Sequence, residues 1–246
     1  MLEKKIILGV GITDAAKQEI LEYIIRGLEK DSKKYFIVTP NPEILTLANN
    51  DSSYKNILNK AKIALADGVG VIMAGKILGR SFKERTTGVD LLESLCKQVA
   101  EKPITVGFLG GKGGVAEKTA ECLQKKYPGL KVTFIGREWS DKLLKLPKLL
   151  RLPIKVDILF VAFGAPKQER WIYENLEKLP VRVAIGVGGA FDYISGNIPR
   201  APVFIRKIGF EWLFRLIAQP WRIKRQLALL KFAFLVLKEK FGFTSK

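Results

Sequence analysis

From residue 4 to about 190, short runs rich in β-branched residues alternate with stretches of helical periodicity, and no other feature constrains the fold as tightly. The runs that read as strands are 5–10, 35–39, 63–66, 105–109, 131–135, 158–163 and 183–187. Between them, 14–29 carries Ile20, Tyr23, Ile24 and Leu28 at helical spacing, with Asp14 placed to cap it. Segments 42–49, 89–100, 115–126 and 166–176 follow the same logic. Strands that alternate with helices pair in parallel through right-handed crossovers. The expected fold is therefore α/β, a three-layer, Rossmann-like, mostly parallel sheet over residues 1–195. Segment 138–152 mixes Lys and Leu around Pro147 and reads as a surface loop or short helix.

After Gly196 the alternation stops. Residues 196–246 hold eleven Lys/Arg against Glu211 and Glu239, a net of +9, half of the chain's +18. Phe204, Ile205, Ile208, Trp212, Leu213 and Leu216 fall on one helical face, and Pro220 kinks or restarts the helix. Beyond it, Leu227, Leu230, Phe234, Leu237 and Phe241 form a second stripe, beside a basic ridge of Lys224, Lys231 and Lys238. Basic heads next to aromatic anchors suit a surface that is both apolar and anionic. The expectation is a C-terminal helical, membrane-docking appendage. The competing reading is that the stripes pack on the sheet or on a sister subunit, as a homo-oligomer would require.

Composition removes whole classes of chemistry. Histidine is absent, which excludes a His base, a Ser-His-Asp triad and the commonest metal ligand. Cys96 and Cys122 lack metal-ligand spacing and fit a reducing compartment. Residues 6–12 do not read as a signal peptide, and no run of about 20 apolar residues would cross a bilayer. A cytoplasmic protein, peripheral on the inner face of the cell membrane, is expected. So large a positive charge calls for an anionic partner, whether phospholipid, phosphorylated substrate or nucleic acid.

Ligands of open α/β sheets bind beyond the carboxyl ends of the strands, and several polar clusters fall there. Thr39-Pro40-Asn41-Pro42-Glu43 follows one strand and Asp67-Gly68 another; Arg85, Thr86 and Thr87 come one short helix later. Asp67 is either a helix cap or, with no histidine present, the carboxylate that takes a proton from an attacking hydroxyl. Arg85 is either a surface charge or a bidentate ligand for an anion. Gly107–Gly114 stands between a strand and a helix, where bare N–H groups suit phosphate. It is not a Walker loop, and Gly9-Val10-Gly11-Ile12-Thr13-Asp14 fails as a dinucleotide fingerprint because Asp14 replaces the third glycine. Asp192, after Gly188-Gly189, accepts from a ribose or base, or caps a turn. No Asp-x-Asp pair exists to hold a metal–diphosphate, so cationic side chains would neutralise the leaving group.

Taken in order, these blocks resemble the WecG/TagA/CpsF family of bacterial glycosyltransferases. The carrying residues are Thr39-Pro-Asn41-Pro-Glu43, Asp67-Gly68-x-Gly70, Arg85-Thr86-x-Gly88-x-Asp90, Phe163-Gly-x-Pro-x-Gln168-Glu169, Gly186-x-Gly188-Gly189-x-Phe191-Asp192, Arg200-Ala-Pro202 and Glu211-Trp212-x-x-Arg215…Pro220-x-Arg222-x-x-Arg225. The resemblance runs nearly end to end. It implies transfer of N-acetylmannosamine from a UDP-sugar donor to the 4-hydroxyl of N-acetylglucosamine on undecaprenyl diphosphate, in wall teichoic acid synthesis, with inversion, no metal and no cofactor. It further implies Asp67 as general base, Thr39 and Asn41 around it, and Arg85 and Gln168 on substrate. Gly110, Gly111, Gly136, Arg137 and Asp192 would hold UDP, and Arg215, Arg222 and Arg225 would meet diphosphate. The tail would fold over the crevice at the membrane, so that a chain lacking 196–246 would keep a folded core and lose nearly all activity.

Three rival readings make different demands. Another donor, a glucose or N-acetylmannosaminuronic acid nucleotide, requires only a few changed pocket contacts. An NAD-type oxidoreductase would need the fingerprint that Asp14 breaks. A nucleic-acid-binding module could use tail arginines and aromatics, but the aliphatic stripes suit lipid better, and no nucleic acid partner is expected.

Overall fold

The computed structural model describes residues 2–30, 33–136, 155–220 and 223–242, with backbone alone at 207 and 224–226. The segment 138–152, together with Arg137 and Arg222, lies outside the described residues. Six strands form one parallel sheet in the order β4-β3-β8-β7-β5-β6. They are β3 (Tyr35–Val38), β4 (Ile63–Ala64), β5 (Thr105–Gly110), β6 (Lys131–Gly136), β7 (Val156–Ala162) and β8 (Val181–Gly186).

Alternate residues of each strand feed two cores. Ile37, Phe108, Phe160 and Ile185 face one layer, built by α1 (Lys17–Lys30), α5 (Gly88–Val99), α6 (Val115–Lys126) and α8 (Ala190–Ile194). Phe36, Val38, Leu159 and Ala184 face the other, built by α2 (Pro42–Asn50), α3 (Ser52–Lys60), α4 (Val69–Ile77) and α7 (Lys167–Asn175). Period-two alternation sends neighbouring side chains to opposite faces, and helices cover both. The three-layer α/β expectation holds.

The first run was expected to be one strand and is instead a hairpin. β1 (Lys4–Ile7) and β2 (Val10–Thr13) pair antiparallel about Leu8 and Gly9, both at positive φ, 51° and 77°. Two left-handed residues in a two-residue loop match the twist of a hairpin. The hairpin adjoins the sheet through Thr13, whose hydroxyl accepts from Ala64 N at 3.0 Å. Asp14 does not cap α1, which begins three residues later. Its buried carboxylate accepts from Lys83 N at 2.7 Å and Lys5 Nζ at 2.5 Å, and so ties the hairpin to the loop before α5.

The expected single helical face from Phe204 to Leu216 is divided. α9 (Val203–Lys207) is capped at Ile208, the chain turns through Gly209, and α10 (Glu211–Ala218) starts afresh. Gly209 has φ +87°, and a Cβ there would stand 2.8 Å from Val69 Cγ2, so the turn needs a glycine. The chain breaks again around Pro220, as expected, before α11 (Ile223–Lys240).

α11 is bound to the core. Phe232 and Val236 are buried against the layer that contains α2 and α4. Glu239 accepts from Leu8 N at 2.8 Å and pairs with Arg80 at 2.5 Å. Cutting the chain at Gly196 would remove these contacts from the core. The stripe read from the sequence points the other way, with Leu227, Leu230, Phe234 and Phe241 each about two-thirds exposed. Lys231 on this helix is also exposed, and the side chains of Lys224 and Arg225 are not described. No helix among the described residues is long and apolar enough to cross a membrane.

Candidate active site

The site grows from the carboxyl ends of the strands. After β3 the chain turns through Thr39, Pro40 and Asn41 into α2. Thr39 is buried and its hydroxyl donates to Gly186 O at 3.1 Å, which joins the end of β3 to the end of β8. Asn41 Oδ1 accepts from Ile44 N at 3.0 Å and caps α2, whose first residue is Pro42. Gly70 packs on that proline so closely that a Cβ would approach Pro42 Cγ at 2.6 Å.

Asp67 follows β4 and does not cap α4; Gly68 holds that position with no side-chain hydrogen bond. The Asp67 backbone N–H donates to Pro40 O at 3.1 Å, and its carboxylate accepts from Gly88 N at 3.3 Å. A Cβ on Gly88 would stand 3.3 Å from Thr39 Cγ2, so Thr39, Asp67 and Gly88 share one corner of the crevice. Asp67 is largely enclosed by protein, with partial solvent contact. This desolvation drives its pKa up to about 7. The Gly88 N–H and Arg85 pull the other way, while Glu211 and Asp90 add to the rise. A carboxylate poised near neutral pH is suited to act as a base.

The cations around it are organised by the start of the appendage. Arg85 donates to Arg206 O at 2.8 Å. Arg200 bridges Asp90 at 2.7 Å and Glu211 at 3.3 Å, and Arg206 lies 3.8 Å from Asp90. Burial opposes ionisation of Asp90, but Thr87 and Arg200 hold its pKa below the usual carboxylate range. Arg215, from α10, stacks over the Tyr193 ring at 4.8 Å, and its guanidinium would lie 2.7 Å from a Cβ on Gly189. The appendage therefore already reaches the crevice and sets one arginine at the end of β8. A side chain at 189 would displace that guanidinium.

Gln168 is buried beneath two loops. Its Oε1 accepts from Gly164 N at 3.2 Å and Gly188 N at 3.0 Å, and its Nε2 donates to Glu169 at 2.7 Å. Glu169 also accepts from Tyr54 Oη at 2.9 Å. The sequence offered no sign of this contact, because Tyr54 lies on α3 in an otherwise ordinary amphipathic helix. The ion network of Asp90, Arg200 and Glu211 likewise joins residues far apart in the chain.

Toward the other edge, Gly110 and Gly111 end β5 at φ +105° and +80°, and Gly111 N donates to Ala162 O at 3.1 Å. Gly136 pairs in register with Leu109 at the end of β6. Asp192 lies within α8, and its carbonyl accepts from Ile198 N at 3.0 Å. With roughly 4.8 Å between strands, β4 and β5 lie about 19 Å apart across the sheet, so Asp67 and the Gly110-Gly111 turn stand at carboxyl ends separated by about that distance. Arg137 and Arg222 lie outside the described residues, as does the Arg225 side chain. A separate recess of about 530 Å³, lined by Tyr23, Arg26, Lys33, Lys34 and Lys62, opens at the amino ends of β3 and β4. Lys34 there is committed to the carbonyls of Glu177 and Leu179, and none of the candidate residues is near.

Parallel sheet and polar carboxyl edge together make this an α/β protein whose candidate site residues gather above the carboxyl ends of its strands. The model of the glycosyl transferase WecG/TagA/CpsF family matches residues 5–246, and the chain belongs to that family. A protein of Bacillus spizizenii named N-acetylglucosaminyldiphosphoundecaprenol N-acetyl-beta-D-mannosaminyltransferase is 36% identical over 212 residues, covering 85% of this chain and 81% of its own. Proteins of the same name from Bacillus subtilis and Staphylococcus aureus are 34% and 31% identical, covering 83% and 95% of this chain and 79% and 92% of theirs.

Proposed function

We propose that this protein transfers N-acetylmannosamine from UDP-N-acetylmannosamine to the 4-hydroxyl of N-acetylglucosamine carried on undecaprenyl diphosphate, with inversion and without a metal. The observation that carries the reading is Asp67, a carboxylate with a pKa near 7 at the corner where Thr39 and Gly88 meet. The acceptor hydroxyl attacks the anomeric carbon from the face opposite the diphosphate. Asp67 takes the hydroxyl proton as the new C–O bond forms, and the bond to the diphosphate oxygen breaks to release UDP. Arg215, over Gly189, supplies counter-charge to that leaving group, with Arg85 on the substrate nearer Asp67. Arg222 and Arg225 would add to that charge. The groove gives the nucleotide room along β5 and β6, with Gly110, Gly111, Gly136 and Asp192 on its side. Arg137 would join them.

The acceptor is a lipid, and the outward face of α11 supports a membrane-bound working position. Leu227, Leu230, Phe234 and Phe241 expose apolar surface beside Lys231, a combination that favours an anionic bilayer. The protein would sit peripherally on the inner leaflet, with the appendage bringing acceptor to the groove.

UDP release from UDP-N-acetylmannosamine, with a lipid-linked N-acetylglucosamine acceptor and EDTA present, tests the reading. Turnover that survives EDTA is expected. Turnover that requires a divalent cation would overturn the metal-free mechanism. Turnover only with UDP-glucose or UDP-N-acetylmannosaminuronic acid would overturn the donor.

A further inference from the structure

Glu169 is fully buried, yet nothing in the proposed reaction uses it. One carboxylate oxygen accepts from Gln168 Nε2 at 2.7 Å and the other from Tyr54 Oη at 2.9 Å. Burial pushes its pKa upward, against the pull of these donors, chiefly Gln168. A buried acid with both oxygens occupied is costly to keep unless it does something for its neighbours.

Its neighbour is the amide that holds the groove's two central loops. Gln168 Oε1 takes the N–H of Gly164, after β7, and that of Gly188, after β8. Both glycines have positive φ, and a Cβ on either would meet nothing within 4 Å, so each loop presents bare backbone to open space. Gly189, next in the chain, lies under Arg215. An amide can sit in either of two orientations of similar shape. The flipped one would aim N–H groups at the two backbone N–H groups and leave all of them unsatisfied. The Glu169 oxygens oppose the flip, because one accepts from Nε2 and the other from Tyr54, and the flipped amide would set its oxygen against them. A Cβ on Gly186 would lie 3.0 Å from Gln168 Nε2, so the amide packs tightly against the end of β8.

We propose that Glu169 is a positioning residue for the transferase reaction, and that Tyr54 braces it from α3. Together they lock the Gln168 amide so that the loops carrying Gly164 and Gly188 keep the shape that receives substrate and seats Arg215. This proposal rests on the groove being the substrate site.

Three variants and two readouts test it. Glu169→Met removes the acceptor at similar volume; Glu169→Gln restores one acceptor but no longer forbids the flip; Tyr54→Phe removes only the brace. Hydrogen exchange at the Gly164 and Gly188 amides is expected to quicken roughly tenfold in Glu169→Met. Its kcat/KM for the donor should fall about tenfold to a hundredfold, since small misplacements of positioning groups are costly. Glu169→Gln should recover only part of both, its exchange staying faster than in the wild type, and Tyr54→Phe should shift them least. Exchange at these two amides and kinetics both unchanged in Glu169→Met would overturn the proposal. So would an activity loss that only follows the folded fraction. If Glu169→Met does not fold, Glu169→Gln carries the test, with faster exchange at the two amides expected and unchanged exchange overturning it. An inactive wild type with ordinary exchange at these amides would instead count against the transferase reading alone.

Discussion

The groove floor and the outer face of α11 are built on opposite rules. Beneath the groove, polar side chains such as Gln168, Glu169 and Thr39 are buried and bonded at each end to protein. On α11, large apolar side chains are left in the open, although Phe232 and Val236 on the same helix are fully used by the core. The first arrangement fixes geometry, because an unsatisfied buried group costs about 1–3 kcal/mol. The second fixes little within the chain, and it leaves apolar area available to a partner at roughly 25 cal/mol per Å². Precision is concentrated where bonds are made and broken, and spare surface where a lipid must be met.

The sharpest way to break this contrast is at Asp67. Asp67→Asn should lower kcat by about 10²- to 10⁴-fold, the usual worth of a general base, measured by UDP release. The same change should not destabilise the fold. Asp67 is raised from an ordinary value of 3.8 to about 7. The unfolded chain therefore ionises it first as pH rises, and stability drains away between those values. At pH 8 the neutral asparagine escapes this penalty, so its melting temperature should match or exceed wild type, by at most about 4 kcal/mol in stability. A large fall in melting temperature would show Asp67 to be structural.

Arg215→Met comes next. It removes the charge over Gly189 from a partly exposed helix. A loss of roughly 10- to 100-fold in kcat/KM is expected, with little change in melting temperature, as befits lost electrostatic stabilisation of a leaving group. A pair of stability measurements separates the two faces of α11. Phe232→Ala should cost about 3–5 kcal/mol by chemical denaturation, since it empties a buried site. Phe234→Ala should stay within about 0.5 kcal/mol. Flotation with anionic vesicles should reverse that order, with Phe234→Glu released and folded Phe232→Ala retained. Vesicle binding unaffected by Phe234→Glu would remove the membrane from the account of this helix.

Most of the sheet was legible because its strands announce themselves. Runs such as 158–163 are continuously apolar, as strands covered on both faces must be. The hairpin was not legible, because Leu8-Gly9 lacks the Asn-Gly or Asp-Gly signature that would have marked its turn. α3 was missed for a different reason: it shares the crossover between β3 and β4 with α2, which was already read. In the tail, periodicity located the apolar stripe of α11 that was expected to dock outward, and gave no hint of the second apolar face, Phe232 and Val236, that packs on the core. A stripe records that residues share a face, and two apolar faces on one helix cannot be ranked without the partner. At the site, Asp67 and its loop neighbours could be read from strand ends alone. The bond from Tyr54 to Glu169 could not, since it depends on how α3 settles against α7, 115 positions along the chain.

The pH dependence of kcat, taken from pH 5 to 9 with saturating donor and acceptor, tests the central claim most directly. The account predicts activity that rises with pH along a single limb with an apparent pKa near 7, where Asp67 loses its proton, and a residual activity in Asp67→Asn that lacks this limb. A wild-type profile flat across that range, or a limb that persists unchanged in Asp67→Asn, would contradict it.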